Sequence, residues 1–268
     1  MLNYMRSILF IAMVISIVLL IPLVAGNQGH ITQAIEEERE PVKSEFFGQE
    51  QNPVHQAESE EEQMFPESMT VLDVSETTPV SIKELPSDDS KSIGIVYGSL
   101  MHVDVIQNLK NGYSEISSWD YASMNAIKGF VPTKFLKTIE LDEKYGIIVE
   151  LRRQKVYIYE NDSVIKTFLC SSGLDENNYY TPKGLYRIGS RGDSFFSPKY
   201  GQGAYHWVRF SNNYLFHSVP FDENQNIIEE EAAKLGQKAS HGCIRLSMDD
   251  ALWLYNNIPQ GTPVLIKD

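Results

Sequence analysis

The 268-residue sequence predicts a mainly β protein with one or two helices. Three observations predict it. Short runs rich in Val, Ile, Tyr and Phe recur about every ten residues between Lys91 and Pro132, with polar turns between them. Apolar and polar residues alternate through Ile147–Leu151, Lys155–Tyr159 and Val164–Leu169. The clearest helical pattern is confined to Ser247–Asn257.

The elements follow in chain order. A single Arg6 precedes an apolar run from Ile8 to Ala25, broken only by Ser16 and Pro22. A secretory signal core is about 7–15 residues long and a membrane span about 20. The run falls between these, and Val24-Ala25-Gly26 offers small residues for cleavage. Residues 1–26 therefore read as a signal peptide or a signal-anchor. Either reading puts the remainder outside the cytoplasm.

Residues 27–90 read as an acidic disordered tether. They contain Glu36-Glu37-Glu38, Glu60-Glu61-Glu62, Asp88-Asp89 and five prolines, with few apolar residues. Such a stretch buries too little surface to offset the entropy of ordering it. The formal net charge of −13 is concentrated here. Residues 30–90 hold 16 acids against Arg39, Lys43 and Lys83, whereas 91–268 hold 20 acids and 19 bases. No block carries a basic excess, which argues against nucleic acid as a partner.

In the first β-rich block, 91–140, the strand-like pieces are Gly94–Tyr97, His102–Ile106, Gly112–Ile116 and Gly129–Pro132. In the second, 145–268, Glu160–Ser163 and Thr181–Gly184 are turns. Leu185–Ile188, His206–Phe210, Tyr214–Phe216 and Thr262–Ile266 read as further strands. Ser247 is a suitable helix N-cap, with Asp249 and Asp250 in the first turn where the helix dipole favours acids. Pro259 and Gly261 stop that helix.

The chemistry-bearing stretch is Ser240-His241-Gly242-Cys243-Ile244-Arg245. Only two cysteines are present, with no CxxC or Cys/His ladder, so neither a disulfide scaffold nor a structural zinc is expected. Cys170 ends an apolar run and reads as a small buried residue. Cys243 lies in a polar, glycine-containing turn among histidines. A thiol there can attack a carbonyl once an imidazole takes its proton.

His217, in Leu215-Phe-His-Ser-Val-Pro220, followed by Ser240-His-Gly-Cys-Ile-Arg245, resembles the motif of the L,D-transpeptidase (YkuD-like) catalytic domain. Gly173, Thr181-Pro-Lys-Gly184 and Gly261-Thr-Pro-Val264 add to the resemblance, which covers 145–268. Residues 91–140 resemble a bacterial SH3-like domain, with Phe130 where a Trp is usual. These resemblances imply a small SH3-like β-barrel ahead of a YkuD-like β-sandwich.

They also imply roles. Cys243 is the nucleophile and His217 its base, oriented by the carbonyl of Ser218. The amides of Gly242 and Cys243 receive the oxyanion, and Ser240 bonds within the turn. His241 shapes the pocket, although it competes as base. His206 reads as a strand histidine, and Tyr205 and Trp207 belong either to the core or to a groove. Arg245 either binds a substrate carboxylate or pairs with an acid of the long polar segment 218–239, read as a lid over the site.

The implied reaction is cysteine acyl transfer from tetrapeptide stems of peptidoglycan to a neighbouring amine, with no metal and no cofactor. Two alternatives remain: an L,D-carboxypeptidase or other cell-wall amide hydrolase on the same fold, and a non-catalytic wall-binding adaptor. The expected partners are peptidoglycan stem peptides and, if the N-terminal segment is uncleaved, the membrane.

Overall fold

The computed structural model describes residues 64–268 except 124 and 143. The expected signal or anchor, 1–26, and the tether up to residue 63 lie outside the described residues.

The first strands are β1 (Ser68–Leu72), β2 (Pro79–Lys83), β3 (Ser92–Tyr97), β4 (Asp104–Asn108), β5 (Tyr113–Asp120) and β6 (Asn125–Pro132). A single 3-10 turn at Thr133–Phe135 leads into β7 (Leu136–Glu140). Five of these strands form an antiparallel sheet in the order β3-β2-β6-β5-β4, and β1 pairs separately with β7. The sequence reading needs one correction here. By composition residues 68–90 belong to the tether, yet they supply β1 and β2. Met69 and Val71 in β1, and Val80 and Ile82 in β2, lie two residues apart and so bury one strand face each. The acidic residues around them mask that pattern in a composition average.

The second part holds β8 (Tyr145–Glu150), β9 (Lys155–Glu160), β10 (Ser163–Ser171), β11 (Gly184–Arg187), β12 (Arg191–Ser197), β13 (Gln202–Ser211) and β14 (Tyr214–Ser218). A short α1 (Glu229–Ala232) follows, then β15 (Ile244–Leu246), α2 (Met248–Asn257) and β16 (Pro263–Lys267). Nine strands run in the order β11-β16-β8-β9-β10-β15-β14-β13-β12. β10 joins two halves. Its Ser163–Leu169 stretch pairs with β9, and its last two residues pair with β15. Side chains of both halves, such as Ile147, Val156 and Phe168 from one and Val208, Phe216 and Ile244 from the other, fill one core. The result is sandwich-like.

Helix α2 packs on β13, β14 and β15. The Ser247 side chain accepts the Asp250 amide at 3.1 Å, as its N-cap position predicts. Two strand pairs are parallel, β16 with β8 and β14 with β15. The second of these positions the site.

The two β-rich blocks pack together. They form one compact unit, and their buried side chains share one core. Met101 bridges to Tyr186 on β11, and the His102 amide donates to the Leu185 carbonyl at 3.0 Å. Arg187 Nε donates to the Ser99 carbonyl at 2.8 Å.

Candidate active site

The parallel pairing of β14 with β15 sets His217 opposite Arg245, and Cys243 directly precedes β15. The 240–243 turn is tied within itself. The Gly242 amide donates to Ser240 Oγ at 3.0 Å, and that hydroxyl donates onward to the Cys243 carbonyl at 2.5 Å. Gly242 has φ +116°, a region L residues rarely adopt, and a Cβ there would sit 2.4 Å from the Tyr214 ring. Only glycine fits both conditions.

Two residues from the supporting pattern brace this turn from behind. Thr181 Oγ1 accepts the Gly173 amide at 2.9 Å and donates to the Gly242 carbonyl at 2.8 Å. A Cβ on Gly173 would lie 1.9 Å from the Tyr179 carbonyl oxygen. The backbone there leaves no room for a side chain.

Cys243 carries a free, half-buried thiol whose Sγ donates to the Asn213 carbonyl at 3.5 Å. Burial pushes this thiol up to about 11, against the opposing pull of the Leu215 backbone and of Arg245 and Arg209. Cys170 is also free and fully buried, and burial holds its thiol at about 12.

His217 is 6% exposed. Its Nδ1 lies 2.7 Å from the Ser218 carbonyl, which can only accept. Nδ1 therefore carries the proton, and Nε2 has a free lone pair. Burial lowers this imidazole to about 4. Arg245 adds to the shift, and the Ser218 bond opposes it. Phe195 meets the ring edge-on at 5.5 Å. Ser218 Oγ accepts the Tyr205 amide at 3.0 Å and donates to the Val219 carbonyl at 2.8 Å, fixing the strand end that orients His217.

Cys243, His217, Ser240, His241 and Arg245 all line a cavity of about 850 Å³. His241 is exposed at its mouth, stacked on Tyr200 at 4.1 Å and edge-on to Tyr179 at 4.4 Å. It shapes the rim. His206 lies on β13 near Tyr205 and Tyr255 and is not part of the cavity lining, whereas Trp207 is.

Two expectations change. The Gly242 amide is committed to Ser240 Oγ, so it is not one of a pair of open oxyanion donors. Of the two readings of Arg245, the ion pair with segment 218–239 is the one formed. Its Nη1 lies 2.5 Å from Glu231 of α1, and its Nη2 lies 3.3 Å from Gln202. That segment is stitched to β10. Gly236 donates to the Cys170 carbonyl at 3.0 Å and Ala239 to the Ser172 carbonyl at 2.9 Å. Its earlier part pairs Phe221 with Gly203.

The sequence reading missed Tyr97, Tyr121, Lys199, Arg209 and Tyr214, which line the same cavity. Arg209 and Trp207 alternate along β13 on one face, a signal present in the sequence. Tyr97 and Tyr121 come from the first β-rich part, and nothing local marks them.

Residues 144–266 match the family profile of the L,D-transpeptidase catalytic domain, YkuD. The chain is 49% identical over 125 residues to "Putative L,D-transpeptidase YciB" of Bacillus subtilis, covering 45% of this chain and 64% of that one. It is 30% identical over 123 residues to the similarly named YkuD of Bacillus licheniformis, covering 46% and 65%. The match thus spans less than two thirds of either relative. Among solved structures, the L,D-transpeptidase of Stackebrandtia nassauensis superposes with a TM-score of 0.38 at 22% identity, covering 48% of this chain and 58% of that one. Residues 144–266 of this chain, with His217 and Cys243 on one cavity, are similar to the YkuD family of L,D-transpeptidase catalytic domains.

Proposed function

We propose that the protein is an extracytoplasmic peptidoglycan L,D-transpeptidase that works by cysteine acyl transfer. The observation that carries this reading is a free, half-buried Cys243 thiol on the same cavity as a buried His217 whose Nε2 lone pair is available. The apolar run of residues 8–25 supports the location.

The electrostatics define how the first step runs. With the thiol at about 11 and the imidazole at about 4, the resting pair is neutral at pH 7. A preformed thiolate–imidazolium pair is disfavoured by the same burial. Nε2 therefore takes the Sγ proton as sulfur attacks the carbonyl that precedes the terminal D-residue of a tetrapeptide stem. A base so positioned contributes about 10²–10⁴ in rate. The Cys243 amide is the oxyanion donor in this scheme, since the Gly242 amide is occupied. Collapse of the tetrahedral species expels the D-amino acid, whose nitrogen takes the proton from His217, and leaves a thioester on Cys243. An amine of a neighbouring stem attacks that thioester and gives up its proton to His217; the C–S bond then breaks, Cys243 Sγ takes that proton back, and the 3→3 cross-link is left on the product.

Incubation of the purified protein with tetrapeptide muropeptides tests the reading. Cross-linked dimers should form and should vanish in Cys243→Ala. Dimers formed by the variant would refute it. Release of the terminal residue by water alone, with an amine acceptor present, would instead make the enzyme an L,D-carboxypeptidase.

A further inference from the structure

We propose that the first β-rich part of the chain is a working part of the substrate cavity, and that Tyr121 at the β5–β6 turn is a specificity-determining residue that contacts the acyl-donor peptide. The inference rests on the transpeptidase reading and names how its site recognises the donor.

Tyr121 lines the cavity that holds Cys243. Its ring meets Tyr97 edge-on at 5.1 Å and Tyr214 at 5.8 Å. Tyr214 in turn lies where a Cβ on Gly242 would strike it. An aromatic line thus runs from β3 and the β5–β6 turn to the residue beside the nucleophile. The Tyr121 hydroxyl bonds Ser211 Oγ on β13, which fixes the side chain across the junction.

The turn that carries Tyr121 is itself held. The Asp120 carboxylate is 2% exposed and accepts the amides of Ile95, Ala122 and Ser123 at 2.8, 3.1 and 2.8 Å. A side chain held at both its root and its tip makes a wall of fixed position, which is what discrimination between ligands requires.

A second element of the same part reaches the cavity independently. Glu76, between β1 and β2, accepts the Ser190 amide at 3.0 Å and the Ser190 hydroxyl at 2.6 Å. It also pairs with Arg209 Nε at 3.4 Å. Arg209 lines the cavity and lies 5.4 Å from the Trp207 ring. The first part therefore both walls the cavity and holds one of its cations.

The lining defines the ligand chemistry. Lys199, Arg209 and Arg245 are its charged side chains, and no carboxylate is among its described residues. Arg245 is paired with Glu231 and Arg209 Nε with Glu76, which leaves Lys199 and the buried, unpartnered Nη1 of Arg209 to face an anion. Aromatic faces beside those two cations suit a short peptide that bears carboxylates and lays its aliphatic and backbone surface on the Tyr121 ring.

Binding can be read without turnover. In the Cys243→Ala background, the Kd of a purified tetrapeptide stem is measured by calorimetry with and without Tyr121→Ala. The expected result is a rise of about tenfold, the loss of one aromatic contact, in a variant that still unfolds cooperatively. Tyr121→Phe keeps the ring but loses the Ser211 bond at its tip, and should weaken binding less than Tyr121→Ala does. If the alanine variant does not fold, Tyr121→Leu fills the space without the ring and should show the same weakening. An unchanged Kd in a folded Tyr121→Ala or Tyr121→Leu variant overturns the inference while leaving the transpeptidase reading intact. Absence of stem binding by the Cys243→Ala parent, together with no cross-linking by the native protein, overturns both.

Discussion

Arg245 and Glu231 form an ion pair that joins the strand following Cys243 to the polar segment 218–239, with 2.5 Å between Nη1 and Oε2 and only 5% of the arginine side chain exposed. Removing one partner of such a pair leaves a charge in the interior without compensation, which is far more costly than the net worth of the pair itself. Glu231→Ala should therefore destabilise the protein by about 3 kcal/mol. Glu231→Gln, which retains an acceptor oxygen, should cost less. Urea unfolding of the three proteins orders them, and equal midpoints would show that Arg245 finds another partner.

Cys170 and Cys243 should differ sharply towards an alkylating agent. Cys170 is fully buried with its thiol held at about 12, whereas Cys243 is half-buried on a cavity. Intact mass after iodoacetamide should show one adduct, on Cys243, under native conditions and two in denaturant. Cys170→Ala should leave that single adduct, and the rate of the proposed cross-linking, unchanged within about twofold, since β10 rather than the cavity holds this side chain. Native labelling of Cys170 would place that strand end in a more open state than its burial allows.

Much of this arrangement was legible in the sequence, and the exceptions have physical reasons. The Ser240–Arg245 run and His217 were visible as a pattern, and β8, β9, β10 and α2 followed from periodicity and capping. β12 was not visible, because Gly192, Asp193 and Ser194 give an edge strand with no apolar alternation. β1 and β2 were hidden by the acids around them. The Gly242 amide was misassigned because its partner, Ser240 Oγ, depends on how the turn closes and not on which residues it contains. Tyr97, Tyr121 and Glu76 were out of reach for a further reason. They join the cavity only through docking of one β-rich part on the other, and no local spacing encodes that.

Thr181 should matter to Cys243 without lining its cavity. Its hydroxyl is the only group given to both the Gly173 amide and the Gly242 carbonyl in the hydrogen-bond pattern of the described residues. Thr181→Val keeps the shape and removes both bonds, leaving two buried backbone groups unpaired at a cost of about 1–3 kcal/mol each. Thr181→Ser restores them. The valine variant should lose thermal stability and alkylate at a changed rate on Cys243, and the serine variant should recover both. A valine variant with native stability and native thiol reactivity would remove Thr181 from the bracing role.

The buried His217 makes both stability and reactivity depend on pH in a defined sense. Its imidazole sits at about 4 in the fold against 6.5 for the free side chain. The unfolded chain therefore takes up a proton at His217 that the fold excludes. Stability from this source is fully present above about pH 6.5 and is lost as pH falls towards 4, by about 3 kcal/mol in total. His217→Asn removes the titration, so wild type should lose more stability than this variant between pH 7 and 4.5 in parallel urea unfoldings. Carboxylates common to both proteins cancel in the difference. The thiol follows the opposite limb. Burial holds Cys243 at about 11, so its alkylation by iodoacetamide should climb roughly tenfold per pH unit from 7 to 10. An alkylation rate already at its plateau by pH 6 would mean that Cys243 and His217 rest as a thiolate–imidazolium pair, and the neutral first step proposed above would have to be abandoned.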